Sequence, residues 1–110
     1  MSKIRYLAVL PAALLALSAC APRPDSIAAT PMPAGMYSHL SCSKARAERI
    51  QVQTTLDAMS AAQDKAATGD AIGVFLLGIP WSSLSGKDKA GKIATEKGKI
   101  LAIDSRLAGC

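Results

Sequence analysis

Residues 42–69 read CSKARAERIQVQTTLDAMSAAQDKAATG, and this stretch decides the fold class. No Pro occurs in it and no Gly precedes Gly69, while Ala, Lys, Arg, Glu, Gln, Leu and Met, the strong helix formers, fill most positions. Cys42, Ala45, Val52, Leu56, Met59 and Ala66 recur at spacings of three and four, interrupted only by Arg49 and Gln63. That is the stripe of a helix with one buried face. The pattern predicts a helix over 42–68, stopped by Gly69.

A second arm lies at the other end of the chain. Residues 85–110 read SGKDKAGKIATEKGKILAIDSRLAGC. Ser85 and Asp88 form a Ser-x-x-Asp capping box, and Ile93, Ile100 and Leu107 repeat every seven residues, joined by Ile103 and Cys110. This predicts a helix over 86–108 that closes at Gly109. Two apolar stripes of similar length in one short chain predict an all-α fold, an antiparallel helical hairpin with Cys42 and Cys110 on its inner seam. Composition agrees. The 110 residues include 21 Ala, and aromatic residues make up only 4%, which excludes a β-sandwich built on aromatic and β-branched strands. The length excludes a large enzyme core.

The connection between the arms, residues 70–84, reads DAIGVFLLGIPWSSL and is the most apolar stretch after the N-terminal segment. Hairpin turns are ordinarily short and polar. Ala71 to Trp81 is too short to span a bilayer, so this tip forms a short helix or turn folded back on the hairpin, an interfacial segment, or a protein-binding surface. Phe75, Leu76, Leu77, Ile79 and Trp81 cover more than one helical face, and Lys87, Lys89 and Lys92 supply a basic rim beside them. These eight residues are the candidate contact for a partner or a membrane. A second candidate is a strip of small residues on the far side of the second arm, Gly91, Thr95, Gly98, Ala102, Ser105 and Gly109. A strip of this kind lets another helix approach closely, and glycine within a helix is unfavourable by about 1 kcal/mol relative to Ala unless something is gained.

Residues 20–41 contain Pro22, Pro24, Pro31 and Pro33 among Ala, Ser, Thr and Gly, the composition of a disordered, extended tether. Catalytic apparatus is missing. His39 is the one histidine and lies in the tether, so neither a Ser-His-Asp set nor a multi-histidine metal site can be assembled. Met32, Met36 and His39 offer soft donors without a frame to hold a metal. Gly86-Lys87 lacks the rest of a phosphate loop. No enzyme activity, cofactor or small-molecule substrate is inferred.

The N-terminus gives an address. Lys3 and Arg5 precede the apolar run Tyr6 to Leu17, the layout of a secretory signal over 1–19. The run ends in Leu17-Ser18-Ala19-Cys20, which resembles the lipobox of bacterial lipoproteins. The resemblance implies acylation of the Cys20 thiol and cleavage just before it. With Ala21 rather than Asp after the cysteine, it also implies sorting to the periplasmic face of the outer membrane. Two acyl chains on one cysteine give a durable anchor, because one chain alone binds a bilayer only marginally. If Cys20 carries lipid, Cys42 and Cys110 remain as two thiols in an oxidising compartment, and one intramolecular disulfide between them is the expected pairing.

Ser41-Cys42 opening a helix, Gly73 to Pro80 at the turn and a terminal cysteine are similar to a group of small bacterial lipoproteins with no assigned activity. The resemblance implies a shared hairpin and transfers no functional residue. Thirteen basic and eight acidic residues become eleven and eight once Lys3 and Arg5 leave with the signal, a net charge of +3. The excess lies between Lys87 and Arg106, without the aromatic or groove-reading motifs of a nucleic-acid binder. The expectation is an outer-membrane-anchored lipoprotein acting as an envelope structural or protein-binding module, by contact with an envelope protein or by self-association. The alternative is a membrane-active protein that inserts its tip, residues 71–84, into a bilayer.

Overall fold

The computed structural model describes residues 20–78 and 89–110. Helices α1 (Cys42–Leu77) and α2 (Ala90–Leu107) pack against each other, and no strand occurs among the described residues. Their contacts run in opposite chain order. Cys42 is bonded to Cys110, Arg49 Nε donates to Asp104 Oδ1 at 2.6 Å, and the Lys89 N–H donates to Gln63 Oε1 at 2.6 Å. The expected antiparallel, disulfide-closed hairpin is therefore the fold.

Helix α1 starts where the sequence predicts, with Ser41 Oγ accepting the Lys44 N–H at 3.3 Å as its N-cap. It does not stop at Gly69. The helix runs to Leu77 and ends at Gly78, whose φ of 74° is the left-handed conformation that favours glycine. Each of its two interior glycines, Gly69 and Gly73, is unfavourable by only about 1 kcal/mol, and no proline follows until Pro80. The spacing of three and four also carries on past Gly69, from Gln63 and Ala66 to Asp70 and Gly73, and all four are buried. The seam, not the first glycine, sets the length of α1.

Helix α2 begins at Ala90, later than expected, with Lys89 outside the helix at φ −109° and ψ 13°. The capping box, Ser85 to Asp88, lies outside the described residues. In place of a side-chain cap, the backbone N–H of Lys89 is taken by Gln63 from the opposite helix. Ile93 and Ile103 are fully buried, and the main cluster joins Tyr37, Ala45, Val52 and Ile103, with Leu40, Ile100, Ala102 and Leu107 packed around it.

Tyr37 and Leu40 in that cluster belong to the segment expected to be a disordered tether. Residues 20–41 instead lie along the hairpin as a strap. A 3₁₀ turn at Pro24–Ser26 opens it. Lys97 Nζ then donates to the carbonyls of Pro24 at 2.5 Å and Ile27 at 2.7 Å, the Thr30 N–H donates to the Ala94 carbonyl at 2.8 Å, and Arg106 Nε donates to the Leu40 carbonyl at 2.9 Å. Proline removes donors but leaves carbonyls, and long basic side chains of α2 satisfy them. A two-helix seam is narrow, and the strap widens it by adding Tyr37 to the core.

Candidate functional site

The hairpin has two ends, and the candidate residues divide between them. At the open end Cys42 and Cys110 are joined across a Cα–Cα distance of 5.9 Å. Their surroundings are partly exposed, and the Leu40 carbonyl accepts from Arg106 one turn away.

The other end is built by the C-terminal turns of α1. Phe75, Leu76 and Leu77 are 87%, 68% and 71% exposed, and Ile72 is also exposed. Within the helix no polar or charged side chain lies between Asp70 and Gly78. Ile79, Trp81 and Lys87 fall outside the described residues. Lys89 and Lys92 are placed at the start of α2, level with Gln63. Twelve residues of α1 separate that level from Phe75, about 18 Å along the helix axis. The basic rim and the described apolar residues are thus two successive levels of one end.

Cys20 lies at this same end. The Ala21 N–H donates to Asp70 Oδ2 at 2.6 Å, and Ala21 is buried against Ala66 and Ala67. One step on, the Pro22 carbonyl accepts from Gln63 Nε2 at 2.9 Å, and Arg23 reaches the Asp64 carbonyl and carboxylate at 3.1 and 3.5 Å. Gln63 and Asp70 are fully buried, and both were absent from the sequence-based candidates. The signal was present. Each is a polar residue on the apolar register of α1, and a buried polar side chain there needs a partner from another part of the chain.

The strip of small residues on α2 has an occupant of its own. A Cβ on Gly98 would fall inside the contact shell of the Thr30 carbonyl oxygen and within 2.9 Å of Met32 Cε. Ala102 and Ser105 face the same segment across a groove of about 460 Å³, whose lining from Ala29 to Gly35 and from Gly98 to Ser105 has no charged side chain. Gly109 lies with Gly35, Tyr37 and Ser38. The covering is centred on Gly98: Gly91 has open space, Thr95 is half-buried with its Oγ1 bonded to the Gly91 carbonyl, and Ser105 and Gly109 remain exposed. The close approach expected for another helix is made by the strap, because an extended backbone must come very near α2 to place the Thr30 N–H on the Ala94 carbonyl.

Burial pushes the Tyr37 phenol above its ordinary value, against the opposing influence of the Lys99 charge. A hydrogen bond from Lys99 Nζ to Glu96 Oε1 at 2.8 Å raises the lysine, and one to Asp104 raises Arg49. For Tyr37 and Lys99 the folded value exceeds the unfolded one. Their contributions are complete below the unfolded values and are lost as pH rises through the folded ones. Thermal melts are therefore expected to weaken above about pH 10, and an unchanged melting temperature through that range would contradict this account.

Among the described residues no group of three or more His, Cys, Asp or Glu side chains could hold a metal ion, and no helix is long and apolar enough to cross a membrane. Comparison with known proteins finds no matching family model, no matching curated protein and no matching solved structure.

Proposed function

We propose that this chain is a lipid-anchored protein of a Gram-negative outer membrane, held on the periplasmic side by acyl chains on Cys20, and that its disulfide-closed hairpin serves as a non-enzymatic structural or protein-binding module of the envelope. The observation that carries this reading is Leu17-Ser18-Ala19-Cys20 at the end of an apolar run led by Lys3 and Arg5. Two structural facts support it. The thiols left over after Cys20 are paired with each other, as suits a chain that folds in an oxidising compartment. The hydrogen bond from the Ala21 N–H to Asp70 uses an amide that cleavage before Cys20 leaves intact.

The membrane-active alternative draws on the exposure of Phe75, Leu76 and Leu77. In either case the protein recognises surfaces rather than transforms a substrate. Labelled palmitate tests the anchor. Wild-type chain is expected to incorporate it, and Cys20→Ser to accumulate as unprocessed, unlabelled precursor. Label retained after Cys20→Ser would remove the assignment.

A further inference from the structure

We infer that the C-terminal end of α1, centred on Phe75, Leu76 and Leu77, is seated in the same lipid leaflet as the acyl chains on Cys20. The hairpin is then bound to the bilayer at two points and directs its disulfide end away from it. This rests on the lipid anchor proposed above and adds to it an orientation and a second membrane contact.

The geometry comes from the hydrogen bond between the Ala21 N–H and Asp70 Oδ2. A flexible tether would leave the relation between Cys20 and the hairpin open. Here the residue next to the acylated cysteine is fixed to α1 at Asp70, with Pro22 held by Gln63 and Arg23 by Asp64 below it. Phe75 to Leu77 stand five to seven residues beyond Asp70, about 8 to 10 Å farther along the helix. An interfacial apolar segment sinks about 5 to 10 Å past the headgroup boundary. When the acylated Cys20 lies at that boundary, the described apolar residues reach the depth such a segment occupies.

The polarity along the axis agrees. From Ala71 to Gly78 every residue is apolar or glycine, and α1 ends there. Lys65, Lys89 and Lys92 come within about one turn of the level of Gln63, about 15 to 22 Å below Phe75, on the side of the anionic lipid phosphates when the tip is immersed. Unlike the strip on α2, this surface is not covered by the strap, and three consecutive large side chains remain exposed.

The test uses the full, processed and acylated protein in vesicles of phosphatidylethanolamine and phosphatidylglycerol. Two single-tryptophan variants are made in a Trp81→Phe background, Phe75→Trp at the tip and Ile50→Trp at an exposed position toward the disulfide end. Lipids brominated along the acyl chain are expected to quench position 75 at least about fivefold more than position 50, which lies about 37 Å away along α1. Mass spectrometry and vesicle flotation of the same samples separate the possible failures. A chain without acyl mass that stays in solution removes the anchor, and the inference falls with it. An acylated, floating protein with position 75 quenched by aqueous acrylamide and not by bromolipid overturns the inference alone. Shielding of position 75 from both quenchers would mean that a second copy or another protein covers the tip, and also overturns it.

Discussion

Reduction of the Cys42–Cys110 bridge is expected to lower the melting temperature of the processed protein by on the order of 20 °C. The bond closes a segment with a sequence separation of 68, and restricting the unfolded chain to that extent is worth roughly 4 kcal/mol in the chain-entropy model. In a domain of this size each kcal/mol moves the midpoint by about 4 to 8 °C. Little else compensates, since the fully buried large side chains among the described residues are Ile93, Ile103, Gln63 and Asp70, and two of those are polar. The bridge itself is at a partly exposed end, so its loss removes little buried apolar surface. Circular dichroism at low temperature should accordingly change little on reduction while the melt shifts. Melts that coincide with and without reductant would show that the bridge does not hold the hairpin together.

Gly98→Ala is expected to destabilise by about 2 to 3 kcal/mol, although alanine is the better helix former by about 1 kcal/mol. The added methyl collides with the Thr30 carbonyl, and the strap must move off α2 to admit it. That movement breaks the bond from the Thr30 N–H to the Ala94 carbonyl and loosens Met32. Gly91→Ala is the matched control, with nothing within 4 Å of its Cβ, and should leave stability equal or raise it by up to about 1 kcal/mol. Amide exchange at Thr30 adds a local readout, expected to accelerate in Gly98→Ala and to stay unchanged in Gly91→Ala. A Gly98→Ala protein as stable as Gly91→Ala, with Thr30 still protected, would mean that the strap is not clamped at this point.

The proximity of Cys20 to the tip could not be read from spacing. Four prolines in 22 residues describe a segment with few donors and no regular pattern, and such composition alone does not distinguish a free tether from a strap whose carbonyls are taken by Lys97 and Arg106. Gln63 and Arg49 looked like interruptions in the stripe of α1. Each is a cross-link, Gln63 to the start of α2 and to Pro22, and Arg49 to Asp104. A one-dimensional pattern marks such a position as an exception and does not say what it meets.

The sequence by itself determined two helices, their antiparallel pairing, the start of α1 at Cys42 and the cysteine pair at the open end. The helices and their buried stripes depend on periodicity and turn-by-turn helix energetics between residues three, four and seven apart, the antiparallel pairing on two stripes of similar length, and the cysteine pair on the count of thiols left once Cys20 carries lipid. Only the tertiary structure decided that α1 passes through Gly69 to Leu77, that the proline-rich segment lies along α2 over Gly98, and that Asp70 fixes Ala21 beside the exposed apolar end. Each of these turns on contacts between residues dozens of positions apart, whose free energy exists only once the chain has folded and brought them together.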